Sequence, residues 1–286
     1  MPGLNEINKE LKRLLKSTTF ETTKTVASYE QEIIAIYKAS LVKIRNEVAA
    51  LLSKYNDPTL ISIRALNDTA NSIEKILTGA SKETVPMIKN SIIDTYSYNY
   101  GAVGTSLQTS LGTTTSFGVI NTNAVNAAVI NPYTKISWPT ILARDTVKAN
   151  SVVRNAVTKG IITGEPFATT SRIITNELNI TTGKAMNIIR TETHRAVSEA
   201  RILALEDARG AAERLGFKLY KIWQSAFVPA TRVSHGNLDG SVADENGMWY
   251  FDDGVATEAP GASGDPAHDV NCLCQIISEL GDTNAI

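Results

Sequence analysis

The sequence predicts a mainly α-helical protein with a small α+β module at its C-terminal end. Three observations predict it. Apolar residues recur at three- and four-residue spacing through most of the first 216 positions. The spacing switches to alternation just after Gly216, and the residues that follow are rich in Gly, Pro, Asp and Asn. The chain has 286 residues, 43 % hydrophobic and 20 % charged, enough for two or three domains of ordinary globular balance. No run approaches the roughly eighteen apolar residues of a membrane span. The opening "MPGLNEINKELKRLLK" lacks the apolar core of a signal peptide, as expected of a protein made in the cytoplasm.

Leu4, Ile7, Leu11, Leu14 and Leu15 predict a first helix over 4–16. Val26, Tyr29, Ile33, Tyr37, Leu41, Ile44, Val48 and Leu51 predict a longer one, with Lys and Glu on its other faces. "YNDPT" breaks it. Asp57 or Thr59 then caps a helix that carries Leu60, Ile63, Leu66, Ile73 and Ile76 and ends at Gly79. Another helix over 84–99 turns Ile88, Ile92 and Tyr96 inward. Residues 1–100 thus form a long helical hairpin or bundle, its stripes buried on each other or on a partner.

Between 101 and 137 the composition shifts. Gly, Ser and Thr fill twelve of the eighteen positions of "GAVGTSLQTSLGTTTSFG", which predicts a flexible connection or β-like loops. The third segment, 138–286, resumes helical spacing up to 216. A Gly-Pro break in "ITGEPF" precedes a short helix, and a long one then runs from an N-cap at Thr182 to Gly216. Its inward stripe is Ile189, Ala196, Ala200, Leu203, Ala211 and Leu215, with enough alanine to favour a close neighbouring helix. From 217 to 286 a small loop-rich module follows. "FKLYKIW" alternates as a strand, with Phe217, Leu219, Lys221 and Trp223 on one face and Lys218, Tyr220 and Ile222 on the other. "MWYF" and "CQIIS" supply further short strands, and no helix is expected there.

Charge is uneven. From Phe217 onward three basic residues face ten acidic ones, a net of −7, which leaves +6 for residues 1–216. A solvated helical surface explains the dilute basic part, and a polyanionic partner is the sharper alternative.

The chemistry gathers in "HDVNCLC", residues 268–274, which holds both cysteines and one of three histidines. A Cys-x-Cys disulfide would be strained, and a reducing cytoplasm disfavours one. A small module buries little core and benefits from a staple. His235, His268, Cys272 and Cys274 offer two nitrogens and two sulfurs, a set that suits tetrahedral zinc if the chain folds back between 235 and 268. The alternative is a pair of small buried cysteines with surface histidines.

The string "RVSHGNLDG", the aromatic "WYF" and "PGASGDPAHDVNCLC" resemble the C-terminal signature of the phage Mu F-like minor head proteins, the phage head morphogenesis family. Arg232, Ser234, His235, Asp239, Gly240, Gly264, Asp265, Pro266, Asn271, Cys272 and Cys274 stand in the places of that signature. Upstream, "IIRTETHRA" is similar to the family's Arg-Thr-Glu helix through Arg190, Thr191 and Glu192, and "KIWQS" to its Lys-x-Trp. The resemblance covers about 140–280. Leu273 replaces a usually basic residue and His268 an often acidic one. His235, Cys272 and Cys274 are therefore the safer metal ligands, with His268 or Asp239 as a fourth.

The resemblance implies a structural minor capsid protein in the virion of a tailed bacteriophage. It implies a place at or near the portal vertex, several copies per particle, and a role in head assembly and in DNA packaging or ejection. Portal protein and major capsid protein are the implied partners, with non-specific contact to packaged DNA. Some relatives carry toxin domains beyond the signature; with twelve residues after Cys274, none is expected here. An enzyme is the competing class, a metal-dependent hydrolase using His235 and Asp239, but four protein ligands would leave zinc no open position. Glu192 and His194 as acid and base face different sides of a helix, whereas Glu192 can pair with Arg195. A DNA-binding virion protein ejected with the genome is the third class; the acidic C-terminal part argues against it.

Overall fold

The computed structural model describes residues 3–55, 61–113, 122–130 and 137–282. Five helices come first: α1 (Leu4–Lys54), α2 (Ile63–Leu111), α3 (Thr122–Ile130), α4 (Trp138–Thr163) and α5 (Phe167–Arg214). The C-terminal module follows as β1 (Phe217–Gln224), α6 (Val233–Asn237), β2 (Trp249–Tyr250), β3 (Ala256–Thr257), α7 (Pro266–Asp269) and β4 (Gln275–Asp282). The mainly helical class with a small α+β end is as the sequence predicts. None of the described helices is long and apolar enough to cross a membrane.

The helices are longer than expected. The two helices anticipated within 4–52 are one, because Thr18, Thr19, Thr22, Thr23 and Thr25 bond their hydroxyls to carbonyls four residues back and do not interrupt it. α2 runs through Gly79 and carries Pro86 inside it. Its start lies at Ser62, whose hydroxyl accepts from the Ala65 amide; Asp57 and Thr59 lie outside the described residues. α5 absorbs Thr182, which bonds back to the Leu178 carbonyl at 2.7 Å and caps nothing. The Gly-Pro break is real: Gly164 closes α4 at φ +67, and the Glu165 amide reaches the Gly160 carbonyl at 2.8 Å.

The flexible connection expected over 101–137 is corrected in its first part. Residues 101–111 complete α2. The buried stripe Tyr96, Tyr100, Val103 and Leu107 continues through the Gly- and Ser-rich stretch, and Thr105 and Ser106 satisfy their hydroxyls on the preceding turn. α3 occupies 122–130, with Val125, Ala128 and Val129 buried. Residues 114–121 and 131–136 lie outside the described residues.

The chain divides into two compact units. One comprises Ser28–Lys89 and Ile136–Ile188. Its core joins Ile44, Val48 and Leu51 of α1, Ile73 and Leu77 of α2, Val153, Val157 and Ile161 of α4, and Ile174 and Leu178 of α5. At Gly160 an added Cβ would lie 2.3 Å from Thr170 Oγ1, so only glycine permits this approach of α4 to α5.

The other unit comprises Met1–Ala27, Asn90–Lys135 and Ile189–Ile286, and it holds the C-terminal module. Here α5 buries Ala196, Ala200, Ala204, Ala208 and Ala212 at strict four-residue spacing. That stripe drifts from the expected one: Leu203 is half-buried and Leu215 is exposed. Arg201, 1 % exposed, joins four elements. It donates to Asn99 Oδ1 of α2 at 3.0 Å, Thr19 Oγ1 of α1 at 3.1 Å, and Gln275 Oε1 and the Ile276 carbonyl of β4 at 2.7 and 3.0 Å. All four acceptors are neutral, and burial lowers its pKa to about 10. β1 pairs antiparallel with β4 from Phe217↔Asp282 to Gln224↔Gln275. Asn8 of α1 covers the other edge of β4, its amide bonding the Leu280 carbonyl at 2.9 Å and its oxygen the Leu280 amide at 2.8 Å.

Candidate metal centre

Short local devices aim Cys272, Cys274 and His235. One residue separates Cys272 from Cys274 in the lead-in to β4, where burial alternates: both cysteines are 2 % exposed and Leu273 between them is 49 % exposed. A period of two puts both sulfurs on one side. Asn271 starts the run at φ +55, a left-handed conformation that Asn tolerates, and its amide bonds Thr191 Oγ1 of α5 at 3.2 Å. His235 sits on α6, a helix too short for periodicity to reveal. Ser225 Oγ holds its carbonyl at 2.5 Å.

His235 Nδ1 lies 3.6 Å from Cys272 Sγ and 3.6 Å from Cys274 Sγ, and the three donor atoms fall within 4.8 Å of one another. Zinc bonds of about 2.3 Å to sulfur and 2.0–2.1 Å to nitrogen, at a tetrahedral angle, put S and N about 3.6 Å apart. His235 Nδ1 thus already stands from each sulfur at the separation one tetrahedral ion requires. The Cys272 thiol donates to Cys274 and is pushed up by that bond and by burial; the same bond pulls Cys274 down.

His268 and Asp239, the expected candidates for a fourth ligand, do not join the cluster. His268 Nδ1 lies 3.3 Å from His235 Nε2, on the far side of that ring from the sulfurs, and His268 Nε2 lies 2.9 Å from Asp253 Oδ2. Asp239 is exposed, and its carboxylate accepts from the Ser225 amide at 2.8 Å. Aromatic rings enclose the centre. Trp223 meets His235 edge-on at 5.7 Å between centroids, and Phe251 stacks on His235 at 4.8 Å and on His268 at 3.9 Å.

The other motif residues brace the module. Arg232 Nη2 donates to the Val270 carbonyl at 2.7 Å. Gly240 takes φ +74 and bonds the Trp223 carbonyl at 2.8 Å. Asp265 caps α7 through the Ala267 amide at 2.8 Å, and Asp269 closes the preceding loop on the Ser263 and Gly264 amides at 3.0 and 2.8 Å. Ser234 lies half-buried in α6, and Arg190 half-buried on α5. Glu192 pairs with Arg195 at 3.1 Å, and burial pushes its carboxyl up against the pull of that arginine. Arg195 also bonds Glu199 at 3.2 Å and the Ala128 carbonyl of α3.

Sequence reasoning missed two contributors to the centre. Phe251 and Asp253 gave no signal beyond their place in an aromatic and acidic run. His194, on the Arg-Thr-Glu helix, packs its ring where a Cβ on Gly261 would come within 2.9 Å. Its Nε2 is buried without a hydrogen-bond partner, and burial, then Arg201 and His235, push its pKa down to about 4.

A helical protein whose last helix carries a signature module with a Cys-x-Cys and histidine cluster is the class these features define, a class built for braced structure around a candidate metal site. Residues 151–277 match the family model described as phage Mu protein F like protein, which bears out the resemblance to the phage Mu F-like minor head proteins. The chain is 25 % identical over 260 residues to the minor head protein GP7 of Bacillus phage SPP1, covering 88 % of this chain and 82 % of that one. It is 29 % identical over 282 residues to the NAD(+)--arginine ADP-ribosyltransferase EFV of Enterococcus faecalis, covering 97 % of this chain and 55 % of that protein. No solved structure matches the chain.

Proposed function

We propose that the protein is a structural minor capsid protein of a tailed bacteriophage, built into the head at or near the portal vertex and acting in head assembly and in DNA packaging or ejection. The observation that carries this is the family segment at 151–277 together with similarity to a minor head protein along 88 % of the chain. Portal and major capsid proteins are the partners this position supplies. Exposed Val42, Ile63, Val147 and Ile162 on the helices of one unit support docking on other subunits. Mass spectrometry of purified particles, followed by reconstruction of the portal vertex without imposed symmetry, tests it. Several copies per virion at that vertex are expected; absence from the particle would contradict it.

The C-terminal module takes zinc at His235 Nδ1, Cys272 Sγ and Cys274 Sγ in this proposal, which the 3.6 Å separations support. The ion would cross-link α6 to the lead-in of β4 and add stability to a module with little core of its own. Three protein ligands leave one position open, and that observation favours a hydrolytic centre as the second reading. The ligands are at most 2 % exposed, however, which suits an ion that holds structure better than one that must meet a substrate. Loss of phosphate- or peptide-ester hydrolysis on exchanging zinc would support the enzyme; the expected outcome is no zinc-dependent turnover. The transferase activity in the name of the enterococcal relative belongs to a protein of which this chain spans about half.

A further inference from the structure

We propose that His268 and Asp253 are positioning residues for that metal site: they hold His235 with its proton on Nε2, so that Nδ1 presents its lone pair to the ion. This rests on the zinc reading above and assigns His268 a role other than ligation.

With His268 neutral, the hydrogen bonds order the protons from the outside inward. Asp253 Oδ1 accepts from the Val255 amide at 3.1 Å, which fixes the carboxylate and leaves Oδ2 for His268 Nε2 at 2.9 Å. An ionised carboxylate only accepts, so His268 Nε2 carries the hydrogen. The lone pair of a neutral His268 is then on Nδ1, 3.3 Å from His235 Nε2, and it accepts from a hydrogen there. His235 Nδ1 is left free of hydrogen, and it is the atom that lies 3.6 Å from each sulfur. The two imidazoles are within 15° of parallel, and one phenyl ring, Phe251, stacks on both at 5° and 19°. Tilting either ring out of this plane breaks that stack. Both nitrogens of His268 are engaged in the relay, so neither is available to the ion. Partners of this kind fix the tautomer and orientation of a metal-bound histidine and raise its basicity.

The test uses the full-length protein. Zinc affinity is measured by competition with a chromophoric chelator for the wild type, His268→Leu, His268→Gln and Asp253→Asn. Leucine removes the acceptor and should weaken binding by about 10–100-fold. Glutamine offers a side-chain oxygen to His235 Nε2–H and should recover most of the loss, which a packing role for the ring would not predict. Asparagine at 253 should cost less than leucine at 268. Long-range proton–nitrogen NMR of the zinc-loaded wild type should place the metal on His235 Nδ1 and the proton on Nε2. Zinc on His235 Nε2 or on His268 overturns the proposal, as does undiminished affinity in His268→Leu. If that variant does not fold, the glutamine variant and the wild-type NMR still decide. A wild type that takes up no zinc overturns the metal site itself and this relay with it; a wild type that binds while His268→Leu binds equally well overturns the relay alone.

Discussion

Cys272 and Cys274 share a side because of their spacing, and that much is readable from two letters and a gap. The role of His268 is not. Its nearness in sequence to the cysteines makes it resemble a ligand, yet α7 turns it toward His235 Nε2 and Asp253. Nothing in the order of residues separates a histidine that binds an ion from one that binds its neighbour's far nitrogen. Replacing either cysteine by serine should abolish stoichiometric zinc and lower the unfolding midpoint, read by elemental analysis and thermal melting. His194 makes a separate prediction. Its native pKa of about 4 lies below the ordinary 6.5, so the unfolded chain takes up a proton that the native ring resists. Stability it contributes is present above pH 6.5 and is lost as pH falls toward 4. Relative to His194→Asn, the wild type should lose about 3 kcal/mol of unfolding free energy over that range, measured by urea titration. An unchanged difference would mean the ring is solvated.

Helix existence was legible from apolar rhythm, but helix ends were not. Threonine runs, Gly79 and the Gly-Ser-Thr stretch after Tyr100 are all breaking signals on local propensity. Each is overridden where an apolar stripe continues across it onto a neighbouring helix. The one-turn helices α6 and α7 escaped for the opposite reason: four or five residues carry no period, only a cap at Asp265. Two tests belong to this scale. Gly160→Ala should cost about 1–3 kcal/mol, because the new methyl meets Thr170 Oγ1. Adding Thr170→Ala should restore much of it; additive losses would rule out this contact as the cause. Arg201→Leu leaves acceptors on α1, α2 and β4 without a donor and should cost about 2–4 kcal/mol. Denaturant unfolding reads that loss, and a neutral substitution would show that the buried charge cancels its own hydrogen bonds.

At the scale of the chain, charge separates by unit. The unit made of residues 28–89 and 136–188 holds 14 basic and 10 acidic residues, and the other holds 14 and 19, for nets of +4 and −5. The unevenness was legible as a gradient along the sequence, but its division between units was not, since α1, α2 and α5 each contribute to both. If packaged DNA is a neighbour, binding by the full-length protein should be weak, indifferent to sequence and lost as salt rises, in a gel-shift series. The family resemblance is legible because the motif residues are brackets: they clamp carbonyls, close loops and admit left-handed turns around one cluster of donors. That cluster is the centre of the whole proposal, and X-ray absorption at the zinc edge of the purified protein tests it most directly. One zinc per chain is expected, with two sulfurs at about 2.3 Å and one imidazole nitrogen at about 2.0–2.1 Å. Metal-free protein, or an ion whose shell contains no sulfur, would contradict it.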